Sequence, residues 1–346
     1  MKLYALKKLI SILCILIVSL QSNAQIKGFY DGNTYFEEEV NRNPPLKKSN
    51  QLSLYFGLSN YLGDLGGNNG VGKKFFYDNN LKKRTFFYGV SFTHYRKEAI
   101  GIRFNYSSGK IAGSDQDAAY QSTNDDAYNR YKRNLDFQSK ISEGSILLEV
   151  FPFKFTPYKH ALHQWNFQPY LMIGLGIYSF NPQGSYFDEI SDDYVWVDLQ
   201  PLRTEGQGMK EYPNRKPYKL SQTNMPFGFG LKYNMSDKTS IGFEFVGRKL
   251  FTDYLDDVSE NYIDPSLFPT YLSAENAEIA QIIHNKSNVI DPDNPYGVGD
   301  IRGNPKNNDF YYSFNLKFSI RISKVKNVPR MFKKKIYKYD NDEICY

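Results

Sequence analysis

The sequence predicts an all-β protein, an eight-stranded antiparallel up-and-down transmembrane β-barrel with long extracellular loops. Three observations predict it: an export signal, eight segments in which apolar and polar residues alternate, and links between them that alternate in length. The chain is 16% aromatic, with 29 Tyr, yet its mean hydropathy is −0.56. A bundle of membrane helices would be far more apolar, whereas a barrel with polar loops has this composition.

Residues 1–24 have the pattern of a secretory signal peptide. Three lysines precede an apolar run over residues 9–20, and small residues at 22 and 24 mark a cleavage site after Ala24. The run is too short for a membrane anchor. Cleavage would remove Cys14 and leave Cys345 alone, so no intrachain disulfide is expected. No later apolar run reaches the length of a membrane helix.

The mature chain is predicted to have three parts, which are an N-terminal periplasmic arm (25–49), the barrel (50–322) and a basic periplasmic C-terminal tail (323–346). The formal net charge is +6, but the signal peptide and the tail hold the excess lysines and arginines. The barrel itself is close to neutral. The basic charge is therefore a property of the tail, and nucleic-acid binding by the fold is not expected.

Each predicted strand carries one apolar and one polar set of side chains, because successive residues of a strand point to opposite faces. The segments are 52–59, 86–93, 100–107, 145–150, 171–178, 227–234, 241–248 and 310–322. The polar sets include Arg103, Glu149, Lys232, Glu244, Arg248, Lys317 and Arg321. In a small membrane barrel these charges pair inside while the apolar set meets lipid; in a soluble barrel or sandwich the two faces are inverted. Alternation alone does not separate these two arrangements.

The links favour the membrane barrel. Those after the first, third, fifth and seventh strands are long, and the others are short or of medium length. Short periplasmic turns opposite long extracellular loops are typical of outer-membrane barrels, and an even strand number leaves both termini in the periplasm. We expect the last strand, 310–322, to close the barrel against 52–58. Bulky Tyr55, Phe87 and Tyr178 predict a filled lumen.

The long links are predicted to be polar and irregular, apart from one helix over 274–283 that Ser273 caps. The four histidines give no metal-ligand pattern: His94 fits an aromatic belt at the membrane edge, His160 and His163 lie in a periplasmic turn, and His284 stands alone. We find no pairing of a nucleophile with a base and no motif for a cofactor. The sequence therefore predicts no catalytic, cofactor-binding or metal-binding residue, and no enzyme.

Two motifs carry a resemblance to a known family. The first, directly after the first strand, includes Tyr61, Gly63, Asp64 and Leu65; the second, directly after the seventh, includes Asp253, Tyr254, Leu255, Asp256 and Asp257. Over residues 50–322 the chain resembles the PorG-like outer-membrane barrel family, which is associated with type IX secretion and gliding. The resemblance implies a non-enzymatic barrel in a Bacteroidota-like Gram-negative outer membrane, a structural component that docks periplasmic ring proteins.

The residues themselves suggest a structural role for both motifs. Aspartates at the starts of loops commonly accept hydrogen bonds from backbone N–H groups. The clustering of Asp253, Asp256 and Asp257 would also permit a cation, which is a second hypothesis. The predicted partners are thus outer-membrane lipid and secretion-ring proteins, and no nucleic acid.

The basic tail supplies a candidate docking segment. Lys333, Lys334, Lys335 and Tyr337 combine charge with an aromatic anchor on the periplasmic side. A solvated charge run or a contact with lipid headgroups is the alternative. For the whole protein, the alternatives are a small passive outer-membrane pore and a surface-binding barrel.

Overall fold

The computed structural model describes residues 48–65, 84–118, 122, 126–156, 165–236 and 238–322. Within these ranges eight strands form a closed antiparallel barrel, in the order β1-β2-β3-β4-β5-β8-β9-β10. They are β1 (Ser49–Leu62), β2 (Thr85–Lys97), β3 (Ile100–Ser114), β4 (Asp136–Val150), β5 (Phe167–Ser179), β8 (Ser221–Asn234), β9 (Thr239–Leu250) and β10 (Phe310–Arg321). Continuous pairing of β3 with β4 completes the closure. The predicted signal peptide, nearly all of the N-terminal arm and the tail lie outside the described residues.

The predicted closing strand pairs with the first strand. β10 runs antiparallel to β1, with Leu52 opposite Ile320 and Leu62 opposite Phe310. Every predicted segment lies within a barrel strand except for Ile322, one residue past the end of β10, and the strand ends that flank the long links 63–84, 115–135, 180–220 and 251–309 lie at one rim. The predicted fold class is therefore confirmed. We call the pairing of β1 with β10 the seam.

The apolar faces of the strands point outward. Leu54, Phe104 and Leu175 are 60, 51 and 71% exposed, while Arg103, Glu149 and Glu244 are 2, 0 and 1% exposed on the inner face. Other outward residues of the same kind are Leu52, Phe56, Val90, Ile102, Ile146, Ile173, Phe229, Phe243, Phe318 and Ile320. Of the two arrangements that alternation left open, the structure has the one that suits lipid outside and paired charges inside.

β4 begins nine residues before the predicted segment, at Asp136 rather than Ser145. Its inner positions there, Phe137 and Ile141, are fully buried, but its outer positions include Gln138 and Lys140. This part of the strand extends past the apolar belt, so its outer face is polar and the alternation that marks a lipid-facing strand is missing.

The prediction that the long links are irregular is wrong. Residues 180–220 include a hairpin of β6 (Pro182–Asp188) and β7 (Asp193–Asp198), which joins the sheet through β4. The α-helices in the described residues are α1 (Asp126–Arg133), α2 (Phe268–Tyr271), α3 (Ala274–Ile283) and α4 (Ser287–Ile290). Helix α3 and its cap are as predicted, since the Ser273 hydroxyl accepts a hydrogen bond from the Asn276 N–H.

Together, the described residues of links 115–135, 180–220 and 251–309 form a packed loop cap. Its apolar core contains Leu199, Leu202, Met209, Ile263, Phe268, Ala277, Ala280 and Ile283, all buried. Burial of this apolar surface gives the loop cap a core of its own. No helix in the described part of the chain is long and apolar enough to cross a membrane.

Candidate functional site

The two sequence motifs meet at the end of the seam that lies beneath the loop cap. The Tyr61 hydroxyl contacts Asp256 Oδ2 and lies 3.0 Å from Asp309 Oδ1. The other oxygen of Asp309 accepts a hydrogen bond from the Leu255 N–H at 2.8 Å. We call Tyr61, Asp64, Asp253, Asp256 and Asp309 the seam cluster, because they come from the end of β1 and from the link that leads into β10.

Gly63 owes its place in the first motif to this contact. A Cβ at position 63 would fall onto the Tyr61 hydroxyl and Asp309 Oδ1, well inside van der Waals contact. Only glycine leaves room for the two groups to meet. Below them, Leu65 and Leu255 are buried in the apolar core of the barrel mouth, and the Tyr61 ring packs edge-on against Phe137 at 4.7 Å between centroids.

Two aspartates of the motifs accept backbone hydrogen bonds, as the sequence predicts. Asp64 Oδ2 accepts from the Asn304 N–H at 2.6 Å, and Asp256 Oδ1 accepts from the Val258 N–H at 3.0 Å. Asp64 thereby ties the end of β1 to the link that precedes β10. These contacts give both motifs a structural role at the seam.

Burial without a basic partner raises the carboxyl pKa values of the seam cluster. Asp253 is 7% exposed, and burial, followed by the charges of Asp64 and Asp256, raises its pKa to about 9. Burial, then the charge of Asp64, raises the pKa of Asp256 to about 8. Burial and the neighbouring carboxylates also raise the pKa of Asp309 well above its ordinary value. An uncompensated buried charge is costly, so each group favours its neutral form.

Asp257 belongs to a different set of contacts. Its backbone is left-handed, with φ of 64°, and its side chain accepts hydrogen bonds from Thr204 and from the Tyr218 hydroxyl, the latter at 2.7 Å. The neighbouring Tyr254 stacks on Tyr218 at 4.9 Å. The idea of a cation shared by Asp253, Asp256 and Asp257 is therefore wrong as a set of three. Across the described ranges, no three His, Cys, Asp or Glu side chains are arranged to hold a metal ion.

Two buried arginines join the links of the loop cap to each other. Arg133, at the end of α1, pairs with Asp115 through two contacts of 2.8 Å and also donates to the carbonyl of Arg302. Arg302 pairs with Glu205 at 2.7 Å and donates to the Asp257 carbonyl at 2.6 Å. Glu205 in turn accepts two backbone N–H groups, from residues 259 and 260, at 3.0 Å each.

Sequence reasoning missed Asp309 and these arginine pairs. Arg133 is separated in sequence from its partners by 18 to 169 positions, and Arg302 is separated from Glu205 by 97. No local spacing predicts such meetings. The one available signal for Asp309 was its position directly before the closing strand.

The barrel lumen is filled by a second charged group, which we call the lumen network: Arg103, Glu149, Glu244 and Lys317. Arg103 pairs with Glu149 and, at 2.5 Å, with Glu244, while Lys317 lies 3.0 Å from Glu244 and 3.4 Å from Glu149. Tyr95 and Tyr170 donate to the same two carboxylates. A second pair, Glu143 with Arg248 at 3.2 Å, lies among Tyr55, Phe87 and Tyr178, all three buried as predicted.

Two small cavities lie inside the barrel among the described residues, and each has a volume of about 10 Å³. One is bordered by Arg103, Glu143 and Arg248, the other by Lys232 and Lys317. A volume of this size holds about one water molecule. At both levels the described interior is therefore packed with side chains.

Of the other residues singled out from the sequence, Lys232 borders a cavity beside Lys317 of the lumen network. His94 is exposed, with Nδ1 2.7 Å from Asn50 Oδ1, and Lys232 donates to Gln51 at 2.8 Å. His284 is buried in the loop cap. His160 and His163 lie outside the described residues, as do the tail residues Lys333, Lys334, Lys335 and Tyr337.

Comparison with known proteins gives one family match. Residues 46–193 match a domain of unknown function, DUF6089. This range covers β1 to β6 and the first motif, but not the second. No curated protein sequence matches the chain.

Several solved barrels are similar in structure. Ail of Yersinia pestis is 9% identical, with 80% of this chain and 99% of that one covered and a TM-score of 0.34. Neisserial surface protein A is 7% identical, with coverages of 79% and 98% and a TM-score of 0.33. OprG of Pseudomonas aeruginosa is 12% identical, with coverages of 79% and 96% and a TM-score of 0.30. The fold itself is established by the strand pairing described above.

Proposed function

We propose that this protein is a non-enzymatic outer-membrane barrel whose role is structural. The observation that carries the proposal is the combination of an apolar outer face with a lumen plugged by ion pairs. Lipid accommodates the first, and the second leaves no route for a solute. In a barrel with a filled lumen, contacts with partners occur at the rims and not in the interior.

The partner that we propose is a type IX protein secretion assembly, in which the barrel docks periplasmic ring proteins. The support is the resemblance of the two motifs to the PorG-like family, and both motifs contribute residues to the seam cluster. In this proposal the membrane is that of a Bacteroidota-like Gram-negative cell. Both termini face the periplasm, where Lys333, Lys334, Lys335 and Tyr337 contact the partner.

Crosslinking from the tail in intact cells tests the docking role. A photoreactive residue in place of Tyr337 is expected to crosslink to a ring protein, and the same residue in place of Ile190, exposed at the β6–β7 tip, is the matched control. Removal of residues 324–346 should abolish co-purification with the ring proteins and leave a heat-modifiable barrel. Unchanged co-purification would refute the docking role of the tail.

Planar-bilayer recording separates the structural role from a passive pore. The purified protein is expected to show no steady conductance, because the lumen network and its neighbours fill the cross-section. A large and steady conductance would instead support a pore, whatever the tail binds.

A further inference from the structure

The seam cluster differs from every other group of buried acids described above in having no basic partner. Asp115 pairs with Arg133, Glu205 with Arg302, Glu143 with Arg248, and Glu149 and Glu244 share Arg103 and Lys317. Within the described ranges, none of Asp64, Asp253, Asp256 and Asp309 forms a salt bridge, and the last three are 7, 0 and 1% exposed. Their charge needs another form of compensation.

The Tyr61 hydroxyl shows what that compensation is. It contacts one oxygen of Asp256 and one of Asp309, but a hydroxyl has a single proton and donates to one acceptor at a time. If both carboxyls were ionised, one would face the lone pairs of the phenol oxygen at hydrogen-bond distance. A proton on one of them turns this repulsive contact into a second hydrogen bond.

Asp253 adds an independent observation. Both of its carboxylate oxygens are buried and make no hydrogen bond within 3.5 Å among the described residues, and the nearby Ser259 hydroxyl only partly offsets the rise in the pKa of Asp253. An ionised carboxylate in this position would pay a large desolvation cost, and a neutral carboxyl pays much less. This geometry favours two protonated carboxyl groups in the cluster, one at Asp253 and one at either Asp256 or Asp309.

We propose that the seam cluster is a proton-binding latch: shared protons fasten the 251–309 link to the end of β1, and their loss opens the loop cap at the seam. The fastening atoms are the Tyr61 hydroxyl and the carboxyl oxygens of Asp256 and Asp309. Once these carboxyls are ionised, like charges meet at the point where the first and last strands join. Repulsion then favours separation of the link from β1.

The surroundings of the cluster make the latch sensitive to pH. The end of β1 contributes Asp64 and Tyr61, and the β9–β10 link contributes Asp253, Asp256 and Asp309, with Asp257 turned away. The β3–β4 link contributes Arg133 and Asp115, and the β7–β8 link contributes Glu205. Arg133 favours the ionised forms of Asp64 and Asp256 but already pairs with Asp115, and Glu205 acts in the opposite direction. Arg302 is paired with Glu205, so negative charge prevails around the cluster.

The sign of the pH dependence follows from the raised carboxyl pKa values. The folded state binds more protons than the unfolded state between the ordinary aspartate pKa and the raised values, which are about 8 for Asp256 and about 9 for Asp253. Stability of the latched form is therefore highest at acidic pH and decreases as pH rises through this window.

Limited proteolysis of the full-length protein, refolded in detergent with EDTA, tests the latch. Cleavage within 251–309 is expected to accelerate about tenfold or more between about pH 6 and pH 10 at fixed protease activity, since one pKa unit of differential binding is a factor of ten. Asp256→Asn, which resembles the protonated carboxyl but does not titrate, should reduce this acceleration to about threefold or less. Asp188→Asn, on the exposed hairpin, is the matched control and should behave as the original chain.

Infrared spectroscopy of the original chain gives a readout that does not depend on how any variant folds. The original chain should show the C=O stretch of protonated carboxyl at neutral pH, and Asp253→Asn should reduce it. Absence of that band, or equal pH dependence of proteolysis in Asp256→Asn and the original chain, would overturn the proposal. Stoichiometric Ca²⁺ binding in calorimetry at neutral pH, abolished in Asp253→Asn, would also overturn it in favour of a cation.

Discussion

The Tyr61 hydroxyl at the end of β1 donates toward Asp309, the residue before β10, at 3.0 Å, although 248 positions separate them. Backbone pairing already joins β1 to β10 along the seam. This side-chain contact extends the joint beyond the last ladder hydrogen bond and into the loop cap. The order of the cap is thus linked to closure of the barrel.

Gly63→Ala should disrupt this joint. The added methyl group would occupy the space of the Tyr61 hydroxyl and Asp309 Oδ1, so one of them must move. Overpacking of this kind typically costs about 1–3 kcal/mol. We expect a lower midpoint for urea unfolding in detergent micelles, together with faster hydrogen exchange at the Leu255 N–H, which Asp309 holds.

Gly297→Ala is the matched control for that substitution. It lies in the 251–309 link, which also holds Asp309, and the nearest atom to its added methyl group is an Asp300 carboxylate oxygen at 3.8 Å, an ordinary contact. Its free energy of unfolding should stay within about 0.5 kcal/mol of that of the original chain. Equal behaviour of the two variants would show that close packing at Gly63 is unimportant.

Arg302→Met should loosen the loop cap more severely. The substitution removes the ion pair with Glu205 and the donor to the Asp257 carbonyl, and it leaves a buried carboxylate without a cation. Loss of one partner of a buried pair costs about 3–5 kcal/mol. Protease sensitivity of residues 200–215 and 255–262 should rise, whereas Lys306→Met, at an exposed position, should leave it unchanged.

The fold followed from the sequence because lipid and the lumen impose opposite chemistry on alternate residues. Phe310–Arg321 and Ser49–Leu62 each show that alternation, so their positions and their pairing as first and last strands were predictable. Helix α3 was predictable too, because a Ser273 cap precedes residues of good helix propensity. Alternation along a strand and capping of a helix depend on neighbouring residues, so the sequence of the segment is enough to predict these elements.

The seam cluster and the loop cap depend on contacts that no local rule governs. Asp64 and Asp256 were identified through their motifs, but Asp309 joins them only because β1 and β10 close the barrel. Arg302 and Glu205 meet because three links pack against one another above the membrane belt. Without lipid to impose alternation there, the β6–β7 hairpin had no periodic signal and was missed.

His284 should make the loop cap less stable at acidic pH. Burial, followed by the charge of Arg302, lowers the pKa of His284 to about 4. The unfolded state therefore binds more protons than the folded state between about pH 4 and pH 6.5, and stability decreases as pH falls through that window. The shift corresponds to about 3 kcal/mol at the acidic end.

Comparison with His284→Asn isolates this contribution. Nδ1 of His284 lies 3.1 Å from the Gln281 carbonyl, and an asparagine amide can donate the same hydrogen bond without titrating. The stability difference between the two proteins should change with pH only below about 6.5. The aspartates of the seam cluster stabilise the protein at acidic pH, whereas His284 destabilises it there. The pH profile of stability for one protein alone therefore does not reveal the contribution of His284. A difference that is constant from neutral to acidic pH would contradict a depressed histidine pKa.

Arg103→Met should be the most destabilising single change in the lumen. Arg103 contacts Glu149 and Glu244 at once, and its removal leaves two buried carboxylates with Lys317 as their cation. We expect a loss of about 3–5 kcal/mol in urea unfolding, because the uncompensated charge stays inside the barrel. Lys140→Met, at an exposed position on β4, controls for loss of a basic residue from a strand.

A compensated variant separates charge from packing in the same network. In Arg103→Met with Glu149→Gln and Glu244→Gln, no carboxylate is left unpaired there, although Lys317 then lacks its anions. Adding Lys317→Met removes that last charge, and replacement of a whole buried ionic group by uncharged side chains is often neutral for stability. The fourfold variant should therefore be more stable than Arg103→Met alone, and its lumen should stay closed in planar-bilayer recording because the side-chain volumes are nearly retained. If the fourfold variant is no more stable than Arg103→Met, shape rather than charge balance explains the cost of losing Arg103.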